Sequence, residues 1–325
     1  MSGGRQERGA ALLSVLLLVA VMAVIAATAL DRLTLATRLA GAAANMDQAR
    51  AFALAGEALV LRRAGDIAQS RRADWLAREY PLPIPGGRAT GRLSDATNCF
   101  NLNALVAEAG PGRYTARPGA VRQFADLLRL AGVGAGEAGA IAAATADWID
   151  SDNAESPLGA EDAAYRGRTP AMLPANTLMA DVGEFARVRG VTAAHYARVK
   201  RWLCALPVAE PLRINVNSLR EGEALLVAAL WAERLSVGQV RAALAARPPD
   251  GYGSATRFWQ SSAMQGLAPP GDVAEQLVTS PRWLRLTSRV AMGDSMLDAE
   301  SLIDLRRDAG ATAPRIVARR WGLAD

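Results

Sequence analysis

At 325 residues, with 51% hydrophobic and 21% charged residues, the chain is long enough for a membrane anchor plus one large or two small folded domains, and too apolar for intrinsic disorder. The formal net charge of +5 is carried by arginine, since Lys200 is the only lysine, yet residues 137–185 hold nine acids against two bases, which argues against a phosphate backbone as partner there. With two cysteines and one histidine, His195, the chain has no cluster of zinc spacing.

The nine-residue leader MSGGRQERG gives way to 21 uncharged residues, Ala10 to Leu30. About 20 apolar residues in a helix span a hydrocarbon core. Arg5 and Arg8 precede the span and Asp31 closes it, so the positive-inside rule puts the N-terminus in the cytoplasm and the bulk of the chain on the far side of the membrane. A secretory signal would have a shorter apolar core and a small-x-small cleavage site. Here the run passes straight into Leu35, Leu39, Ala42, Met46, Ala49 and Ala53 at helical spacing, with Arg38, Asp47, Arg50 and Glu57 interleaved. No proline appears before Pro81, which predicts one helix from Ala10 to about Arg63, ~80 Å long, whose outer half must pack beyond the bilayer.

Pro81 to Gly87 is a cluster of breakers. Ala89–Leu93 and Cys99–Leu102 read as short strands, separated by the turn residues 94–98. Six helices are predicted next: Val121–Leu130, Gly136–Ile149, Met179–Arg187, Thr192–Leu203, Arg220–Glu233 and Val237–Ala246. The C-terminus reads as three strands, Trp283–Val290, Met296–Arg306 and Arg315–Trp321, the first two joined at Gly293-Asp294. The expected fold is α+β: a long N-terminal transmembrane helix packed on an antiparallel sheet, with a large all-helical domain inserted between strands. Its divisions are a leader at 1–9, the membrane helix at 10–30, its periplasmic half at 31–66, the β scaffold at 67–110 and 281–325, and the inserted domain at 111–280.

Three features carry chemistry. Cys99 and Cys204 both fall on the non-cytoplasmic side of the membrane, where disulfides persist; they read as a bridge or as two buried thiols, and the compartment favours the bridge. Leu130-Ala131-Gly132-Val133-Gly134, the looser Arg189-Gly190-Val191-Thr192, and the opening Ile214-Asn215-Val216-Asn217 resemble helix-hairpin-helix modules. Such turns offer N–H groups to phosphate, or serve as compact helix connections; the acidic segment that follows favours the second reading. That segment, Asp147-Trp148-Ile149-Asp150-Ser151-Asp152-Asn153-Ala154-Glu155 and then Gly159-Ala160-Glu161-Asp162, suits calcium, with Asp150, Asp152, Glu161 and Asp162 as side-chain ligands. The alternative is a solvated loop whose Asp and Asn cap helices. A glycosidase acid–base pair has no aromatic sugar cleft to support it. No nucleophile–base pair or cofactor fingerprint accompanies these residues, so a catalytic role is not expected.

Arg8-Gly9-Ala10-Ala11-Leu12-Leu13 resembles the processing site of type IV pilins and pseudopilins. That resemblance implies a prepilin peptidase cutting after Gly9 and methylating Ala10. Most members carry Glu five residues into the mature chain, to pair with a neighbour's terminal ammonium; Ser14 stands here, as is the habit of minor pseudopilin K of the type II secretion system. Cys99-Phe100-Asn101-Leu102-Asn103, Asp147-Trp148-Ile149-Asp150-Ser151-Asp152, Gly159-Ala160-Glu161-Asp162 with Tyr165, and Ile214-Asn215-Val216-Asn217 are similar to that family's motifs, in its order, although the family often has Asn-Thr where Asn217-Ser218 stands. The resemblance implies a calcium-binding helical domain and a non-catalytic subunit at the tip of a periplasmic pseudopilus. Its implied partners are minor pseudopilins I and J, the major pseudopilin, and folded proteins being exported, with no nucleic acid. The competing readings are a membrane-anchored DNA-binding protein of the competence type and a minor pilin of a type IV pilus.

Overall fold

The computed structural model describes the backbone of residues 4–69, 76, 78–306 and 313–322, and their side chains except at 4–10 and 68. Helix α1 (Gly4–Gln69) runs unbroken for 66 residues, about 100 Å at 1.5 Å per residue. It begins ahead of the expected Ala10 and ends beyond Arg63, because no proline or glycine pair stops it. Gly9 and Ala10 lie in its first turns, where only the backbone is described.

Among the described residues the main sheet has five antiparallel strands, in the order Glu79–Leu82, Gly87–Asp95, Trp283–Met292, Ser295–Asp304 and Arg315–Trp321. Its first pair is β1 (Glu79–Leu82) and β2 (Gly87–Asp95). The chain then leaves the sheet and passes through β3 (Phe100–Asn101), the hairpin β4 (Val106–Gly110) and β5 (Arg113–Ala116), then α2 (Pro118–Leu130), α3 (Ala135–Ile149), α4 (Asp162–Arg166) and α5 (Ala193–Val199). Next come β6 (Leu203–Cys204), β7 (Ile214–Asn215), α6 (Leu225–Ala228), α7 (Val237–Ala245), α8 (Ala255–Trp259), α9 (Gly271–Glu275) and β8 (Leu277–Val278). It returns to the sheet as β9 (Trp283–Met292), β10 (Ser295–Asp304) and β11 (Arg315–Trp321). The β9–β10 turn is the two-residue Gly293-Asp294, with Gly293 at φ +53°, the positive φ that such a tight hairpin demands.

Three expectations are corrected. Pro81 and Leu82, read as breakers, form part of β1; the strand sits at the sheet edge, where a missing N–H is tolerated. The helix expected over Met179–Arg187 is only a 3-10 turn at Val182–Arg187, and Arg220–Glu233 breaks into short turns around α6, with Gly222 in the first of them. Phe100, Leu102, Leu105 and Val106 belong to the large core of the inserted unit, so that unit starts right after Asp95 and not at residue 111.

The outer half of α1 lies on the sheet. Ala49 and Ala53 meet Val290, Met292, Leu297 and Ala299; Ala64 meets Leu284, Leu286 and Ile303. Small residues on the helix let it approach the sheet closely, and the period-2 alternation of β9 and β10 supplies the facing apolar rows. Glu57, interleaved among the polar positions in the sequence pattern, is buried on this face. It accepts Arg319 Nε at 2.7 Å, Arg319 Nη2 at 2.5 Å and Ser301 Oγ at 2.5 Å.

The inserted unit is built on a recurring device. Phe100–Asn101 pairs in parallel with Leu203–Cys204, and Ile214–Asn215 with Leu277–Val278. In each Asn-x-Asn the first carboxamide accepts the N–H two residues on (Asn103 N to Asn101 Oδ1, 3.3 Å; Asn217 N to Asn215 Oδ1, 3.1 Å). The second donates to two distant carbonyls: Asn103 to Met179 and Leu206, Asn217 to Tyr252 and Thr279. The Cys99–Cys204 disulfide closes the first module, with the two Cα atoms 5.8 Å apart.

Candidate metal centre

Helix α3 delivers the acidic cluster. Its alanines let ten of its residues be buried, and its last turn carries Asp147 and ends on Asp150 as C-cap. That is the negative end of the helix, where carboxylates are disfavoured, so the site concentrates negative charge against the helix dipole. Asp147 is fully buried and accepts Ser156 N at 3.2 Å, Ser156 Oγ at 2.5 Å and Ala160 N at 2.8 Å. It thereby ties the far side of the loop to the helix. A Cβ at Gly159 would lie 1.9 Å from Asp147 Oδ2, so only glycine fits.

The loop folds Glu161 back over the helix end. One carboxylate oxygen from each of Asp150, Asp152 and Glu161 lies within 4.8 Å of the others. Asp150 and Glu161 are buried, whereas Asp152 is exposed and gives the cluster an opening to solvent. Asp150 Oδ1 and both Glu161 oxygens are buried with no hydrogen-bond partner. Burial first, then Asp152 and Asp147, pushes the Asp150 carboxyl up to about 7. Burial first, then Asp147, Asp150, Asp152 and Asp162, pushes Glu161 up to about 7 as well. Buried carboxylates are stable as anions only when paired or ligating. An all-oxygen set with bare buried oxygens and a solvent-facing carboxylate is chemically suited to a hard divalent cation.

Of the four acids expected to act together, three converge. Asp162 does not join them: as first residue of α4 it pairs with Arg166 at 2.5 Å, one turn on. Sequence reasoning missed Asp147 as the organiser, although its place three residues before Asp150 on a helix put both on one face. It also missed Asn176, which reaches in from a distant loop, with a left-handed backbone (φ +47°), and donates to Asn153 Oδ1 at 2.8 Å. A second cation close by, Arg189, donates to the Gly159 carbonyl at 3.1 Å and lies 3.6 Å from Glu155, outside the three-acid cluster.

The two hairpin turns face each other. Gly132 (φ +88°) and Gly190 (φ +82°) provide left-handed exits, and Arg198 Nη1 donates to the Gly132 carbonyl at 2.8 Å. At Gly190 a Cβ would press on Ile141 at 3.3 Å. These are the contacts of helix connections packed on one another. Asn215 and Ser218 likewise serve the fold, donating to Asp95 Oδ2 at 2.7 and 2.5 Å where the chain leaves the sheet.

Two family models described as type II secretion system (T2SS), protein K match residues 98–208 and 214–280, coinciding with the two Asn-x-Asn modules. Type II secretion system protein K of Pectobacterium carotovorum subsp. carotovorum is 32% identical over 98% of this chain and 97% of its own. Its counterpart in Aeromonas hydrophila is 35% identical over 78% and 79%. Among solved structures, a chain of the GspK-GspI-GspJ complex from the type 2 secretion system of enterotoxigenic Escherichia coli superposes with a TM-score of 0.71 at 27% identity, covering 86% of this chain and 97% of that one.

Proposed function

This chain belongs to the type II secretion system protein K family of minor pseudopilins, and on that basis we propose that it caps the tip of the pseudopilus, where it starts assembly together with minor pseudopilins I and J and supports export of folded proteins. The observation that carries the proposal is the likeness, along most of both chains, to a subunit solved in complex with GspI and GspJ. Two features of this molecule support a terminal position. Ser14 has no charge to offer a neighbour's ammonium, and between β2 and β9 the chain inserts a unit with a large core of its own.

In this reading α1 crosses the inner membrane once, with the leader cytoplasmic, and prepilin peptidase cuts between Gly9 and Ala10 and methylates Ala10. The cluster of Asp150, Asp152 and Glu161 holds a structural calcium ion. What supports it is the set of bare, buried carboxylate oxygens, which a divalent cation would pair. The hairpin turns are spent on contacts within the protein, which favours protein partners over nucleic acid.

The test is co-expression of the full-length chain with minor pseudopilins I and J, detergent extraction, and purification on a tag carried by this chain. A stoichiometric ternary complex is expected. Its absence, with all three chains present in the membrane, refutes the assembly role. Mass spectrometry of the same preparation should find an N-methylated Ala10 terminus, and an intact Met1 terminus beside active peptidase would refute the processing.

A further inference from the structure

We propose that cation occupancy at Asp150, Asp152 and Glu161 is transmitted through Ser151 to the β4–β5 hairpin, so that calcium sets how well ordered this exposed hairpin is; the inference rests on the calcium reading above. Ser151 sits between two of the clustered acids. Its N–H donates to the Tyr114 carbonyl at 2.9 Å, and its hydroxyl accepts the Tyr114 N–H at 2.9 Å. Tyr114 lies in β5, paired on the opposite side with Glu108 of β4. Ser151 therefore closes the outer edge of the hairpin by a reciprocal pair of bonds.

The base of the hairpin is held by Val106, buried in the core, and by the Tyr114 side chain packed against it, but its outer part is not: Glu108, Ala109, Pro111, Gly112 and Arg113 are exposed, and an isolated two-stranded hairpin is marginal in water. The acidic loop is unevenly anchored as well. Asp147 fixes the side at Ser156 and Ala160, whereas Ser151 to Glu155 are all exposed, tied mainly by Asn176 and by the local bond from Ala154 N to Asp152. Without a counter-ion, four carboxylates at one helix end repel, and the freely held stretch is the part that can yield. Asp150 and Asp152 bracket Ser151, so when they separate Ser151 is carried with them and Tyr114 loses both bonds. A bound cation draws the same two residues together and restores the edge.

The experiment is amide hydrogen exchange on the full-length protein in detergent, in calcium chloride and in chelator, for the wild type and for Ser151→Ala. Ser151 is exposed and contributes no carboxylate, so the variant keeps the acids and the loop anchors. In the wild type, calcium should slow exchange at 156–161 and slow the Tyr114 amide about tenfold or more. In Ser151→Ala the slowing at 156–161 should persist while that at Tyr114 falls to about twofold or less. Protection at 156–161 with an unmoved wild-type Tyr114 overturns the coupling and leaves the metal site standing. A Tyr114 amide protected equally in both proteins overturns the route through Ser151. No protection anywhere overturns the metal reading and the coupling with it.

Discussion

Removing the Glu57 side chain should loosen the grip of the globular part on its membrane helix more than any other single change on α1. Glu57 is 4% exposed and holds three charge-assisted bonds, two from Arg319 on β11 and one from Ser301 on β10. It thus joins the helix to two strands at once. Breaking a buried pair by deleting one partner typically costs about 3–5 kcal/mol, because the other charge stays behind unpaired. Arg319 has 35% of its side chain exposed, so water takes up part of that loss. We expect about 2–3 kcal/mol for Glu57→Ala after that discount, with Ser301 also left without an acceptor. Urea unfolding of the detergent-solubilised chain, followed by tryptophan fluorescence, gives the number, since Trp283 and Trp321 lie in the sheet. A double-mutant cycle with Arg319→Ala isolates the pair and should show coupling of about 1–2 kcal/mol. Glu57→Ala costing under about 0.5 kcal/mol, or costing the same with and without Arg319, would refute the idea that this pair clamps helix to sheet.

The acidic cluster makes stability pH-dependent in chelator. Asp150 and Glu161 rise from 3.8 and 4.5 to about 7 in the folded state, so the fold retains protons that the unfolded chain releases, and stability declines as pH rises from the ordinary carboxylate range to about 7. Calcium needs the ionised carboxylates, so its stabilisation should grow over the same window; melting curves at pH 5 and pH 8, with chelator and with calcium, check both signs. Glu161→Gln should raise the melting temperature in chelator at pH 8 and weaken calcium binding about tenfold or more, as measured by calorimetry. Gly159→Ala forces a Cβ onto Asp147 and should cost about 1–3 kcal/mol in urea unfolding, whereas Gly139→Ala, whose Cβ would meet nothing within 4 Å in α3, should be neutral or stabilising by up to ~1 kcal/mol. Replacing both Cys99 and Cys204 by Ala opens a loop with a sequence separation of 105 and should cost up to ~4–5 kcal/mol in the chain-entropy picture, read as a lowered unfolding midpoint under non-reducing conditions.

Periodic patterns were legible in the sequence because one physical rule governs each residue in them. The apolar run and the absence of proline before Pro81 specify α1, and the alternation in Trp283–Met292 specifies a strand with one buried face. What the sequence hid was set by contacts from far along the chain. Glu57 has the pattern of a solvent-facing acid, and Ser301 and Arg319, 244 and 262 residues away, make its burial tolerable. Pro81 signals a break, and only its edge position in the sheet makes it part of a strand.

The candidate site divides along the same line. Asp150, Asp152 and Glu161 were readable because closely spaced carboxylates with glycine and small polar residues between them point to an oxygen-ligand site whatever the fold around them. Asp162 looked equivalent in sequence, but the chain enters α4 there, and an arginine one turn later takes its charge. Asp147 was hidden because its carboxylate is consumed by backbone and hydroxyl donors nine and thirteen residues on, a role that spacing alone does not announce. The Asn-x-Asn motifs carry the converse lesson. As sequence the second of them resembled the opening of a phosphate-binding module, yet the carboxamides of both bond to the protein's own backbone and side chains. Asparagine suits that work because one side chain can satisfy a donor and an acceptor of a buried loop at the same time. These residues therefore build the frame from which α3 presents its acids, and the acids are where the molecule has binding capacity left over.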